Sequence, residues 1–189
     1  RRSAARAKLP ASTTAANAYV KPIVAAYLQE LETRIARIGK NVPLRIMVSS
    51  GGFTSAKSAA HAPILLLESG PAAGVLSALN TAHQNEVDHV LAFDMGGTTA
   101  KACVAVGGEP PVAHAFECAR VQRFKRGSGL PILIPRIDLI EIGAGGGSIA
   151  FRNDLGLLNV GPQSSGSVPG PACYARGGSD PTVTDADLL

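Results

Sequence analysis

What the chain lacks narrows it first. There is no tryptophan, and aromatic residues make up only 4% of the 189 positions. The hydrophobic share of 46% is therefore largely aliphatic, and beside 17% charged residues it is an ordinary balance for one domain or one large lobe. Cysteine is scarce and scattered: Cys103, Cys118 and Cys173 form no CxxC or CxxH pair. An odd, dispersed set of this kind argues for a reduced, cytoplasmic protein and against a disulfide framework. No apolar run approaches the roughly 20 residues of a membrane span. The basic N-terminus has no apolar stretch behind it, so it is not a secretory signal. A basic face is missing as well. The formal charge is +4, but Arg1, Arg2, Arg6 and Lys8 supply that surplus, and the other Lys and Arg equal the Asp and Glu in number. Nucleic-acid binding, which needs basic surface carried by the fold itself, is not expected. A second cluster, Arg120, Arg123, Lys125 and Arg126, reads as a solvated loop or a subunit contact. The absence of an initial Met suggests the middle of something longer.

Glycine (21) and proline (13) are plentiful, so turns and shaped loops carry much of the fold. Residues 1–12 read as a basic linker. From Thr13, the apolar residues Val20, Val24, Tyr27, Leu31, Ile35 and Ile38 recur at helical steps up to Gly39. Pro22 suits a first turn or a kink there better than a helix interior. Short apolar strands are expected over Leu44–Val48 and Ile64–Leu67, and a small-residue helix over Ala72–Thr81, opened by Gly70-Pro71. Residues 13–87 thus form a helix and an α/β connecting region. Residues 88–189 follow a different pattern. His89–Phe93 and Thr98–Val106 flank Gly96-Gly97 and predict a β-hairpin. Further strands are expected over Val112–Phe124 and Ile137–Ile142. After Gly156 the chain reads as loop, and Thr184 as the N-cap of a last helix.

The sharpest chemical feature is Phe93-Asp94-Met95-Gly96-Gly97-Thr98-Thr99-Ala100-Lys101. Two glycines at a turn let the backbone approach a ligand, and successive N–H groups there form an anion-binding concavity. Thr98 and Thr99 add hydroxyls for phosphate oxygens, Lys101 adds a positive charge, and Asp94 is placed to hold a metal-bound water. Mg²⁺ keeps several waters and often needs only one or two carboxylates. Read blandly, the same residues are a plain turn with solvent-facing threonines. They form neither a GxxxxGK[ST] loop nor a dinucleotide fingerprint, because the glycines lie between two strands. Asp138 and Glu141 precede a second glycine run, Gly143 to Gly147, followed by Ser148. Their odd separation puts them on opposite faces of an ideal strand, so one carboxylate faces the site and the other does not. Gly145, Gly146, Gly147 and Ser148 either admit a ligand or form a flexible turn. A third block, Val160 to Tyr174, is dense in Gly and Pro and reads as a rigid loop. Its Cys173 is a candidate nucleophile, although a packed thiol is the simpler reading. In the fourth block, Glu68 to Gly74, small residues serve close helix packing or an anion at a helix N-terminus.

The strand–DxGGT–strand unit resembles the phosphate hairpins of the actin and sugar-kinase superfamily. Taken together, the blocks resemble the hydantoinase A/5-oxoprolinase family, whose relatives serve in acetone and acetophenone carboxylases. The matching stretches are Thr13–Tyr19, Ser69–Gly74, Phe93–Lys101, Ile142–Ala150, Pro169–Tyr174 and Pro181–Ala186, in order across nearly the whole chain. The resemblance implies an α/β fold, an actin-like (ribonuclease H-like) ATPase lobe. It would have a mixed sheet, a β-hairpin phosphate loop and a Gly/Pro-rich C-terminal segment. It further implies ATP-dependent opening of a cyclic amide or imide, such as a hydantoin or 5-oxoproline, through phosphorylation of the carbonyl oxygen. ATP and Mg²⁺ are the implied cofactors, and a hydantoinase B-type subunit or domain is the implied partner. Asp94 and Glu141 become the candidate catalytic residues, with Asp94 also facing the metal. Gly96, Gly97, Thr98, Thr99, Lys101, Gly145, Gly146, Gly147 and Ser148 become the candidate nucleotide contacts. Many members have Asp where Lys101 stands, and other branches have Thr or His-Thr at Glu141. Full-length members also carry an earlier DxGGT-like hairpin on a first lobe, so the chain reads as a second lobe that is inactive alone. An actin-like assembly or partner-binding module without turnover is the competing class. A sugar- or acetate-kinase lobe shares the hairpin but does not predict the block at 161–186.

Overall fold

The computed structural model describes residues 11–39, 42–118 and 127–189. The basic tail and the Arg120–Arg126 cluster lie outside these residues. The chain folds as two compact units that interleave in sequence, Arg1–Ser77 with Pro110–Asp138, and Ala78–Glu109 with Leu139–Leu189. The sequence-based expectation sets boundaries after residues 12 and 87.

The first unit is built on a long helix, α1 (Ala11–Arg37). Its N-terminal end takes in Ala11 and Ser12, expected to be linker, and it carries Pro22 in its interior. The apolar face holds Leu28 (3% exposed), whereas Tyr27 points outward (61%). Beside α1 lie α2 (Ala56–His61) and a 3-10 turn, Pro63–Leu66. The latter replaces the strand expected at Ile64–Leu67. The reason is where its backbone groups are satisfied: Ile64 donates its N–H to Asn17 Oδ1 (3.1 Å), and Ser49 donates to the Leu65 carbonyl from both N–H (2.7 Å) and hydroxyl (2.6 Å). With partners on a helix and a turn, this apolar run has no need of a sheet. Ile64, Ile132 and Ile134 form the centre of the core, with Ala16, Leu65, Leu67, Phe116 and Cys118 around them. Each buried isoleucine contributes about 1.5–3 kcal/mol. Small antiparallel pairs complete the unit: β1 (Arg45–Met47) with β2 (Phe53–Ser55), β5 (Val112–Ala113) with β8 (Arg136–Ile137), and β6 (Phe116–Cys118) with β7 (Leu130–Ile132). The continuous strand expected over Val112–Phe124 is thus broken into β5 and β6. Helix α3 (Ser69–Gln84) begins in this unit. Ala72 in its first turns is buried, but Gly70 and Gly74 have open space where a Cβ would stand, so close packing does not explain them.

The second unit contains a three-stranded antiparallel sheet in the order β3 (His89–Met95), β4 (Ala100–Val106), β9 (Ile140–Ile142). Every strand pair among the described residues is antiparallel, which corrects the mixed sheet expected from sequence. A second hairpin pairs β10 (Ser148–Arg152) with β11 (Leu158–Ser164), and β11 lies where the sequence reads as loop. Its connection is held by Asn153, whose Oδ1 accepts from the N–H groups of Leu155 (3.0 Å) and Leu157 (2.9 Å), and by Gly156 at φ 77. The expected strand Ile137–Ile142 is divided, Ile137 pairing in the first unit and Ile140–Ile142 in the second.

The last helix, α4 (Val183–Asp187), is capped by Thr182 rather than by Thr184. The Thr182 hydroxyl accepts from the Asp185 N–H (3.3 Å), and the Asp185 carboxylate accepts from the Thr182 N–H (2.8 Å). This is a capping box with Asp at its third helical position. Among the described residues no helix is long and apolar enough to cross a membrane.

Candidate functional site

The predicted hairpin is present, with strand, turn and strand in full register from His89↔Val106 to Met95↔Ala100. Its turn is closed by the Gly96 N–H donating to the Thr99 carbonyl at 2.9 Å. No helix starts at Gly97, so the loop is not of the P-loop kind. Gly97 and Thr98 are exposed, and a Cβ added to Gly97 would meet nothing within 4 Å. Neither Gly96 nor Gly97 takes a positive φ. Neither internal packing nor backbone conformation therefore demands glycine at 97. A bare backbone open to solvent is what close approach of an outside group requires. No partner among the described residues takes the N–H of Gly97 or Thr98.

The sheet register gathers the charged candidates. Lys101 pairs with Asp94 on one side and with Glu141 on the other. Directly opposed residues of an antiparallel sheet point to one face, with Cβ atoms about 4.5–5.5 Å apart. Asp94, Lys101 and Glu141 therefore form one acid–base–acid row. Asp94 and Glu141 are exposed and Lys101 is half-buried. Further along the same face, Ala92, Cys103 and Ala105 are buried, so the row sits where that face meets solvent. Asp138 goes elsewhere, reaching Arg136 at 3.5 Å in the first unit. The two carboxylates before the glycine run are separated because the expected strand is divided, Asp138 lying between β8 and β9 and Glu141 within β9.

The glycine run Gly145–Gly147 lies against the hairpin tip. Gly146 donates its N–H to the Gly96 carbonyl (2.9 Å) and Gly147 to the Gly97 carbonyl (2.8 Å). A Cβ on Gly145 would stand 2.5 Å from the Gly96 oxygen and 2.6 Å from the Thr98 nitrogen. Ser148 is buried at 1% exposure, and its Oγ accepts from the Gly145 N–H at 2.9 Å. These groups are occupied by one another. The Gly145, Gly146 and Gly147 amides and the Ser148 hydroxyl, expected to face nucleotide, here support the tip.

Cys173 is exposed rather than the packed thiol that the simpler sequence reading expects. Its thiol pKa is raised, first by the hydrogen bond to Asp185, then by desolvation and by the charge of that carboxylate. A thiol held protonated is a poor nucleophile. Asp185 itself accepts from the Cys173 N–H (2.7 Å), the Ala172 N–H (3.3 Å) and the Thr182 hydroxyl (2.8 Å), besides its capping bond. These bonds, that from Cys173 foremost, hold its pKa well below the usual carboxylate range. Among the described residues no three His, Cys, Asp or Glu side chains gather as a metal site. The sequence does not reveal Ser165 and Thr184 as structural partners of the glycine run. A Thr-x-x-Asp capping box at 182–185 was the available signal, and it frees Thr184 from the cap.

Compared with known proteins, this architecture is that of a mixed α/β segment found within large ATP-dependent enzymes. In fold it is similar to acetone carboxylase in its nucleotide-free form, with a TM-score of 0.63 over 85% of this chain and 21% of that one, at 22% identity. The chain belongs to the hydantoinase/oxoprolinase family, whose model matches residues 10–189. It is 36% identical to the caprolactamase subunit alpha of Pseudomonas jessenii over 94% of this chain and 24% of that protein. The crystal structure of that ATP-dependent caprolactamase superposes with a TM-score of 0.72 over the same shares. An uncharacterised protein of Methanocaldococcus jannaschii is 42% identical over 94% of this chain and 27% of its own length. The chain thus spans about a quarter of these relatives.

Proposed function

We propose that this chain carries one phosphate-binding half of an actin-like nucleotide site, in an ATP-dependent hydrolase that opens cyclic amides or imides. The observation that carries the reading is the hairpin tip, where the Gly97 and Thr98 amides have no partner among the described residues and a charged row stands at its foot. Similarity to a caprolactamase described as ATP-dependent supports both the nucleotide and the ring-opening class.

The roles follow from charge and position. Gly97 and Thr98 offer N–H groups, and Thr98 and Thr99 offer hydroxyls, to phosphate oxygens. Lys101 offsets phosphate charge from the half-buried centre of the row. Asp94 supplies a hard oxygen suited to the waters of Mg²⁺, which binds through few carboxylates and keeps much of its hydration. Glu141, on the far side of Lys101, orients that lysine and stands ready to hold a proton of an attacking water. Bound ATP would supply the phosphoryl group that activates the carbonyl carbon of the ring amide toward water, so that the ring nitrogen can leave. The residues named here bind, orient and neutralise around it. A separate hydantoinase B-type subunit or domain is the proposed partner, in keeping with the relative's designation as a subunit alpha. A cytoplasmic setting fits three free cysteines.

Asp94→Asn in the full-length protein tests the reading. It keeps size and removes charge at an exposed position. ATP-dependent turnover of a lactam, hydantoin or 5-oxoproline panel is expected to fall by about a hundredfold or more, with the melting temperature nearly unchanged. Parent-like turnover and Mg-ATP affinity in a folded variant would sink the phosphate reading. The 189-residue chain alone is expected to turn over none of the panel, because a half-site encloses no phosphate tail and excludes no water. Robust turnover by that chain would show that one half suffices.

A further inference from the structure

The glycine run is held on both sides. Toward the hairpin it donates from Gly146 and Gly147 to the carbonyls of Gly96 and Gly97. Away from it, its own carbonyls accept. Gly147 O takes the Ser165 N–H at 2.8 Å and the Ser165 hydroxyl at 3.3 Å. Gly146 O takes both the N–H and the Oγ1 of Thr184, each at 2.9 Å. The run is therefore a layer of backbone between the tip and the C-terminal segment.

Thr184 is itself well anchored. Thr182, two residues earlier, is buried at 2% exposure and bridges to Ile149, and the Pro181 carbonyl accepts from the Ala150 N–H at 2.8 Å. The helix is already capped by Thr182 and Asp185. The Thr184 hydroxyl is thus surplus to the helix and donates instead to the Gly146 carbonyl. The fit is close: a Cβ on Gly146 would stand 2.7 Å from Thr184 Oγ1.

We propose that Thr184 is a positioning residue for the phosphate hairpin. By fixing the Gly146 carbonyl, 38 residues away in sequence, it sets the seat of the glycine run beneath the tip. It thereby sets the aim of the Gly97 and Thr98 amides and the Thr98 and Thr99 hydroxyls. This rests on the tip being a phosphate site. Donors of this kind act through preorganisation, and misplacement by about 1 Å costs up to a hundredfold in rate.

The test is a set of full-length variants, Thr184→Ala, Thr184→Ser, Gly146→Ala and the double Gly146→Ala/Thr184→Ala, read by Mg-ATP calorimetry, KM and kcat for ATP, and melting temperature. Thr184→Ala is expected to weaken Mg-ATP binding and raise KM by roughly three- to tenfold, with a small change in melting. Thr184→Ser, which keeps the hydroxyl, restores the parent values. Gly146→Ala impairs binding in the parent but adds little to Thr184→Ala, because the group it would strike is gone. Parent-like nucleotide binding in Thr184→Ala, while Asp94→Asn loses function, overturns the positioning role and leaves the phosphate reading intact. Equal losses in Thr184→Ala and Thr184→Ser overturn it too, since the hydroxyl would then be irrelevant. If Asp94→Asn is also parent-like, the phosphate reading falls first and takes this inference with it.

Discussion

Two glycine clusters meet at the candidate site, and they are glycine for different reasons. Gly145 and Gly147 are buried, and an added Cβ would come within 2.5 Å of the Gly96 oxygen in one case and 2.9 Å of Ser164 Oγ in the other. Gly97 is exposed, and its missing Cβ would touch nothing. The first cluster is glycine because the protein itself occupies the space. The second has no such internal reason, which is what a surface kept bare for a ligand looks like. Identical residues in adjacent loops thus divide between packing and proposed binding. Sequence alone treats both as Gly-rich loops that permit approach.

The comparison breaks most readily at Gly145. Gly145→Ala drives a methyl group into backbone, which cannot swing aside as a flexible side chain can. Overpacking of this kind typically costs about 1–3 kcal/mol, sometimes more. The full-length variant is expected to melt several degrees lower, or to express poorly, and to lose ATP-dependent turnover. A variant as stable and active as the parent would show that the run does not press on the tip.

Gly97→Ala sharpens the other half. Open space and an ordinary backbone conformation predict a stability change within about 0.5 kcal/mol. Mg-ATP affinity is expected to fall severalfold, because the methyl group stands where phosphate oxygens would approach the amides. Loss of stability without loss of affinity would reverse the assignment, making Gly97 the structural glycine. Together with Asp94→Asn, the two substitutions separate what holds the tip from what the tip holds.

The site was legible in sequence to the extent that its chemistry is local. The hairpin tip, its glycines and Asp94 lie in the nine consecutive residues Phe93–Lys101, and alternation with a Gly-Gly break suffices to place them. The row with Glu141 needs the register of β9 against β4, which no local pattern fixes. The hold of Thr184 on Gly146 spans 38 residues and is equally beyond any local pattern. In the first unit the apolar run Ile64–Leu67 reads as a strand, and the Asn17 and Ser49 partners that make it a turn come from elsewhere in the chain. The β10–β11 hairpin was hidden for the opposite reason. Pro162 and repeated glycines demote β11 in any propensity reading, yet the ladder tolerates them there. Reading Thr184 rather than Thr182 as the last N-cap assigns its hydroxyl to a helix that does not use it.

The smallest expected effect concerns the C-terminal segment that backs the glycine run. Asp185 joins α4 to the loop at Ala172–Cys173 through acceptor bonds alone, and these lower its pKa, with the Cys173 N–H the leading cause. A carboxylate whose folded pKa lies below its unfolded value adds stability that is fully present above the unfolded value, about 4. That contribution shrinks as pH falls below it toward the folded pKa, because the unfolded state then binds more protons. The parent should therefore exceed Asp185→Asn in stability by a constant margin from neutral pH down to about pH 5. The margin should narrow progressively on further acidification. Amide exchange at Ala172, Cys173 and Thr182 should accelerate over the same acid range in the parent, relative to its intrinsic pH dependence, and show no such transition in the variant. The effect is modest because the segment is solvent-accessible and screening weakens exposed charge interactions. A margin that stayed constant through pH 3 would mean that the Asp185 contribution comes from its shape as a capping residue and not from its charge.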